Sequence, residues 1–180
     1  MLIVFSALVC LAPAHELPSG RAERELALDE FSARQAEAVD QVLELAREAM
    51  KSPKTRADAA HYVRVLGRMR SPRAIDFLVS NLTFQPLAGA IAISTIPSTE
   101  QSLPSVYGLT EIGSACFPAL LAKLQESDDE FTLRCGAAVF RDSLGADQAP
   151  AYLRRAASKL PAGPKRTRIE SVATWVEKLK

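Results

Sequence analysis

Residues 107–124 read YGLTEIGSACFPALLAKL and contain two short apolar helical patterns separated by a tight break. Leu109 and Ile112 are three residues apart, so they share one face of a helical turn, and Gly113 interrupts that pattern. The second pattern resumes at spacings of three and four, in Phe117, Leu120, Leu121 and Leu124. A hairpin this small cannot bury its apolar faces alone, so it predicts a neighbouring hairpin on each side.

Such neighbours are predicted. Before the central stretch, apolar spacing indicates helices over 55–69 and 74–82, joined by a turn in which Ser71 is the N-cap and Pro72 the first helical residue. After it, helices are predicted over 131–144 and 149–160. The inward residues of the first of these are expected to be Phe131, Cys135, Ala138, Val139, Phe140 and Leu144. The sequence therefore predicts three helical hairpins in a row.

A helix is predicted at each end of this row. The N-terminal one runs over 21–52, and its inward face is expected to hold Leu28, Phe31, Ala38, Val42, Leu45 and Ala49. The C-terminal one has Trp175 near its apolar edge. Both are interpreted as caps of the row. Between the first two hairpins, residues 83–105 form an irregular insertion, which in a compact domain is typically either functional or disordered.

Three blocks repeat a pattern of a small residue followed four positions later by leucine. They are Ala74–Leu78, Cys116–Leu120 and Ala149–Leu153, and their spacings suit a repeat of two helices. LTEIGSACFPALLAKL resembles the HEAT repeat family, in the armadillo-type or phycobilisome-lyase-like bacterial variety, whose pattern is Leu-x-x-Ile-Gly-x-x-Ala-x-Pro-x-Leu-Leu-x-x-Leu. The resemblance covers roughly 55–160. It implies a right-handed α-solenoid without shared catalytic residues. It says little about the function, because such repeats bind many unrelated partners.

The chain has 180 residues and a formal net charge of +1, so no overall field directs it towards nucleic acid. Its opening, MLIVFSALVCLAPA, has an apolar run too short to span a bilayer, followed by the small residues Ala12 and Ala14. This pattern predicts a signal peptide over 1–14, a linker over 15–20 and one domain over 21–180. It also predicts a periplasmic or secreted protein without a transmembrane span after cleavage. The alternative is a buried N-terminal segment in a cytoplasmic protein.

The cysteines and histidines show no catalytic or metal-binding spacing. Cys10 would leave with the signal peptide, whereas Cys116 and Cys135 would remain, either as a disulfide or, as we favour, as small apolar core residues. His61 has no second ligand at helical spacing, so no metal site is expected. No nucleophile elbow, phosphate-binding loop or dinucleotide glycine motif is present in the sequence. We expect no catalytic residue and no cofactor.

Basic residues cluster in two places, around the first hairpin and near the C-terminus. Arg64 and Arg68 are four residues apart on one helical face, and Arg154 and Arg155 begin the second cluster. These four arginines are the candidate partner-binding residues. The sequence predicts an all-α protein that acts as a non-catalytic protein-interaction or scaffold module, with an unidentified protein partner. The alternative is a solenoid that binds phosphate or nucleic acid through the arginine and lysine clusters. An enzyme with a site under the insertion has the least support.

Overall fold

The computed structural model describes residues 21–86 and 102–178, and these two ranges form helices and turns without a β-strand. The all-α prediction is therefore confirmed for this part of the chain. The predicted signal peptide (1–14), the linker (15–20) and residues 87–101 of the predicted insertion lie outside the described residues.

The helices follow the predicted hairpins. Their bounds are α1 Arg21–Met50, α2 Arg56–Arg68, α3 Ile75–Ser80, α4 Pro104–Ile112, α5 Phe117–Gln125, α6 Glu130–Leu144, α7 Gln148–Ser158 and α8 Pro164–Lys178. Short 3-10 helices lead into α2, α3 and α5. Because α4 begins at Pro104, the last two residues of the predicted insertion belong to a helix.

Local sequence signals account for these bounds. Ser71 is the predicted N-cap, and its Oγ accepts a hydrogen bond from the backbone amide of Arg73. Asp129 caps α6 by accepting from the amide of Thr132 at 2.9 Å. Gly113 and Gly145 follow α4 and α6 with φ values of 74° and 81°, a left-handed region that costs a glycine little. The helices of the hairpins therefore begin and end at capping residues and glycines that can be recognised in the sequence.

The contacts divide the chain into two units, Met1–Gln35 and Ala36–Lys180. In the first unit, the described residues 21–35 are helical, and the side chain of Phe31 is 66% exposed. The second unit contains residues 36–50 of α1, together with α2 to α8 and the buried core.

Within the second unit the first helices of successive hairpins are neighbours. Helix α2 contacts α4, and α4 contacts α6. The C-terminal helix α8 contacts α6 in turn. The second helices of the first two hairpins, α3 and α5, also contact each other, and α8 additionally contacts α5 and α7. Helix α4 lies inside this arrangement, since none of its residues is exposed.

The predicted inward face of α1 is partly wrong. In the second unit α1 buries Val39, Leu43, Ala46 and Ala49, whereas Leu45 is 45% exposed. In this orientation the guanidinium of Arg73 donates to Asp40 at 2.7 Å, and that of Arg47 lies 5.9 Å from the Phe77 ring. Phe31, in the first unit, was also expected to face inward and is exposed.

Phe131 was expected in the core and is 37% exposed. The capped first turn of α6 directs Thr132 and Leu133 inward instead, and the hydroxyl of Thr132 donates to the Asp129 carboxylate at 2.6 Å. Phe140, nine residues further along the same helix, is fully buried as predicted.

Helices α2 and α4 cross at two glycines. A Cβ atom placed on Gly67 would lie 2.4 Å from the Cα of Gly108, and one on Gly108 would lie 3.2 Å from the Cα of Gly67. The obstacle at Gly67 is backbone rather than a flexible side chain, so the two helices would have to separate. These glycines therefore allow the first two hairpins to pack closely.

We predict that Gly67→Ala destabilises the protein although alanine favours a helix. The helix-propensity gain is about 1 kcal/mol, and overpacking a tight contact costs about 1–3 kcal/mol or more. Chemical denaturation should therefore show a net loss of stability for Gly67→Ala and a smaller one for Gly108→Ala. If Gly67→Ala were the more stable variant, the close crossing of α2 and α4 would be contradicted.

Cys116 and Cys135 are both unbonded and buried, as the preferred interpretation of the cysteines predicted. The Sγ of Cys116 donates to the carbonyl oxygen of Leu109 at 3.5 Å, which joins the two halves of the central hairpin. Burial raises the pKa of Cys116 to about 11 and that of Cys135 to about 12. Both thiols are therefore protonated at neutral pH, which suits packing and opposes nucleophilic chemistry.

These pKa values predict a loss of stability at high pH. The unfolded thiols ionise near pH 9.0, whereas the folded ones resist ionisation. The folded state therefore binds more protons, and its advantage declines as the pH rises from about 9 towards the folded pKa values. Urea denaturation at about pH 8 and pH 10 should show a larger loss for the native chain than for a variant with Cys116→Ala and Cys135→Ala. Equal losses would contradict the buried thiol state.

Candidate binding surfaces

The structure places the first candidate arginine pair on α2. Arg64 is half-buried and Arg68 is exposed, one helical turn apart as the sequence predicted. No ion pair involves Arg64 within the described residues.

The second candidate pair lies on α7, where Arg154 and Arg155 are both exposed. Arg154 donates to Glu177 of α8 at 2.6 Å, so its charge is matched by a neighbouring carboxylate. Helix α2 contacts α4, whereas α7 contacts α6 and α8. The two arginine pairs therefore lie on helices at different positions in the series.

Most other members of the two basic clusters are also matched by carboxylates. In the first cluster Arg70 pairs with Glu111 at 2.6 Å and Arg73 with Asp40 at 2.7 Å. In the second cluster the pairs are Lys165 with Glu126, Arg166 with Glu170 and Arg168 with Asp128. Except for Glu170, which lies one turn from Arg166 on α8, these partners come from other helices or from turns, so most of these pairs connect different elements.

Arg168 is a basic residue of the second cluster that connects two helices. Its side chain is 20% exposed, and it donates to Asp128 at 2.6 Å and to the carbonyl oxygen of Gln125 at 2.6 Å. Gln125 is the last residue of α5, whose terminal carbonyls have no partner within the helix. Arg168 therefore caps α5 from α8 and fixes the position of the final helix.

An open groove between the end of α1 and the end of α3 was not predicted from the sequence. It consists of two adjoining cavities of about 440 Å³ and 340 Å³, which share Met50 and Asn81. The larger cavity is also lined by Arg47, Asp76, Phe77 and Ser80. The smaller one is also lined by Lys51, Ser52, Pro53, Arg56 and Phe84. We call this surface the α1–α3 groove.

A second surface feature surrounds Trp175 on α8. The guanidinium of Arg134 lies 4.3 Å from the centre of the indole ring, and the ammonium of Lys178 lies 5.3 Å from it. A shallow cavity of about 350 Å³ adjoins it, lined by Thr167, Glu170, Ser171, Thr174, Trp175 and Lys178. Since two cations of the chain already occupy positions against the ring, this tryptophan acts in packing α6 and α8 side chains together.

The remaining titratable candidates have ordinary surroundings. His61 is exposed, and the centre of its ring lies 5.8 Å from the centre of the Tyr62 ring. The carboxylates of Glu111 and Glu126 each face a cation of the chain. Among residues 21–86 and 102–178, no group of three or more histidine, cysteine, aspartate or glutamate side chains could hold a metal ion.

No protein-family model, curated protein or solved structure matches this chain. Of the helices that the structure describes, none combines the length and apolar character needed to cross a membrane.

Proposed function

We propose that the chain is a non-catalytic protein-interaction or scaffold module of the HEAT-repeat type. The observation that carries this proposal is the serial contact of α2, α4, α6 and α8, with α4 buried between its neighbours. In a HEAT repeat the first helices of successive hairpins are stacked side by side in this way. The matching helices of a stack form an extended outer surface, which is suited to binding another chain.

Other features support a right-handed α-solenoid of three hairpins with capping helices. Helices α3 and α5 contact each other as the second helices of a stack would, and α8 packs on α5, α6 and α7 at the C-terminal end. The Leu109–Ile112–Gly113 turn of the repeat pattern coincides with the end of α4, and the Phe117–Leu124 part with α5. Export remains part of the proposal and is based on the apolar opening of the sequence.

Affinity capture tests this function. The full chain with a C-terminal tag is expressed in its native cell, and the periplasmic fraction is captured under native conditions. We expect a specific protein to be recovered in a fixed ratio to the chain. Recovery of no specific protein, together with catalytic turnover by the purified chain, would contradict the proposal. Mass spectrometry of the mature N-terminus tests export, and a protein that begins at Met1 would contradict cleavage after Ala14.

The phosphate- or nucleic-acid-binding alternative is disfavoured by the ion pairs. Arg70, Arg73, Arg154 and Arg168 all have carboxylate partners. Counterion release would have to compensate for breaking those pairs. A titration of labelled DNA and RNA at low salt should therefore show no binding. Binding that weakens steeply as salt is added would favour this alternative over the protein-interaction module.

A further inference from the structure

The α1–α3 groove has an apolar floor and a charged rim. Met50, Phe77 and Phe84 are half-buried and line the two cavities, which open to solvent. Two arginines lie against this floor, since the guanidinium of Arg47 is 5.9 Å from the Phe77 ring and that of Arg56 is 5.5 Å from the Phe84 ring. The rings therefore hold the two cations at the groove and leave apolar surface beside each.

The two halves of the groove differ in charge. Among the residues that the structure describes, the smaller cavity is lined by Lys51 and Arg56 and by no acidic residue. Lys51 also pairs with Glu48 at 2.6 Å, an exposed contact within α1. Arg56 has no carboxylate partner among the described residues, and its Nε donates to the carbonyl oxygen of Gln85 at 3.0 Å. This half therefore presents a guanidinium available to an anion.

The larger cavity is less favourable for an anion. It is lined by Arg47 and by Asp76, and Arg47 already pairs with Glu44 at 3.2 Å. A carboxylate placed here would face Asp76, and like charges in proximity repel. An acidic ligand would therefore be oriented, with its carboxylate at the Arg56 end and a neutral or basic group at the Asp76 end.

Asn81 lies at the junction of the two cavities. Its Nδ2 donates to the carbonyl oxygen of Phe77 at 2.8 Å, which fixes the orientation of the amide. No described residue donates to its Oδ1, so this oxygen can accept a hydrogen bond from the backbone of a bound segment. An apolar floor, an oriented amide and one cation without a carboxylate partner are together the features of a groove that binds a peptide.

We propose that the α1–α3 groove binds a segment of another protein in which an acidic residue adjoins a bulky apolar residue. The carboxylate pairs with Arg56, the apolar side chain covers Met50 and Phe84, and Asp76 sets the direction of the segment. Charge complementarity at Arg56 selects an acidic occupant, and the apolar floor favours a peptide over a free anion. This inference rests on the proposed protein-interaction function and specifies its surface and partner chemistry.

Binding of synthetic peptides tests the groove. The probes are short labelled peptides with one phenylalanine, leucine or tryptophan flanked by aspartate and glutamate, and matched peptides with lysine at the acidic positions. Fluorescence anisotropy with the full chain should show binding of the acidic peptides at least about tenfold tighter than that of the lysine peptides. Absence of binding to the native chain, or equal binding of both sets, would overturn the inference.

Charge reversal locates the site. Arg56→Glu should weaken binding of the acidic peptides at least about tenfold, while Lys123→Glu, an exposed position on α5, is the matched control and should leave it unchanged. Asp76→Asn should leave it unchanged or strengthen it. Circular dichroism and thermal unfolding establish that each variant is folded. Equal weakening by Arg56→Glu and Lys123→Glu would overturn the assignment to the groove.

The affinity capture described above separates the two levels of the proposal. If the native chain captures a partner and the Arg56→Glu chain captures it equally well, the protein-interaction function stands and the groove assignment is wrong. If capture is lost in Arg56→Glu but retained in Lys123→Glu, both are supported. If the native chain captures no partner and the purified chain shows catalytic turnover, the proposed function itself fails.

Discussion

Phe140→Ala is expected to lower the free energy of unfolding by about 3–5 kcal/mol. Phe140 is fully buried, and its ring lies 4.8 Å from that of Phe117 and 5.7 Å from that of Tyr152. These three rings belong to α5, α6 and α7, so the cluster joins the second hairpin to the third. Truncation removes the ring contacts and leaves a cavity at the centre of that junction.

Urea denaturation measures this change, and Phe131→Ala is the matched control. Phe131 lies on the same helix and is 37% exposed, so its replacement should cost clearly less than that of Phe140. If the two variants lost the same stability, Phe140 would not occupy the buried junction described here. Phe140→Leu, which keeps an apolar side chain at the position, should recover part of the loss.

Leu120→Ala should cost about 2–5 kcal/mol. Leu120 is fully buried in α5, within the core that also contains residues of α3 and α6. Contacts on both sides leave the cavity little room to collapse, which favours the upper part of the range.

Leu45→Ala provides the comparison for Leu120→Ala because it removes the same atoms from an exposed position. Leu45 is 45% exposed, so its replacement should change the free energy of unfolding by no more than about 0.5 kcal/mol. A nearly neutral Leu120→Ala would contradict the assignment of residues 107–124 to a central, covered hairpin. A costly Leu45→Ala would contradict the rotation of α1 observed in the structure.

The hairpins could be predicted from the sequence because their signals are local. Ser71 and Pro72 open the turn into α3, Asp129 caps the start of α6, and Gly113 and Gly145 follow the ends of α4 and α6. Each of these residues acts on backbone groups within a few positions of itself, so its effect does not depend on contacts with distant parts of the chain. The same locality explains why the helical blocks were correctly placed on both sides of the central stretch.

The rotation of α1 could not be predicted in this way. Its two overlapping apolar stripes, one through Leu45 and one through Leu43, satisfy helical spacing equally well. The buried stripe joins a core whose other members lie far away in the sequence, and Asp40 in this orientation pairs with Arg73, 33 residues away. Contacts at such separations have no signature in a local pattern.

The candidate arginines illustrate the same limit for function. Sequence clustering drew attention to Arg64, Arg68, Arg154 and Arg155, but it could not show that neighbouring cations are matched by distant carboxylates, such as Arg70 by Glu111, 41 residues away. The α1–α3 groove was missed because Met50, Phe77 and Phe84 belong to three separate segments. The half-buried rings of Phe77 and Phe84, each near a basic residue of another segment, become apparent only in the folded chain.

The proposed function depends on a serial stack whose middle hairpin is covered on both sides, which leaves binding to the outer surfaces. Hydrogen exchange of the native protein, followed by mass spectrometry, tests this claim most directly. We expect the amides of α4, around Gly108 and Leu109, to exchange only through global unfolding and therefore to be the slowest in the chain. If the α4 amides exchanged as fast as those of residues 29–35 of α1, whose side chains are exposed, residues 107–124 would not form the covered centre of a stack.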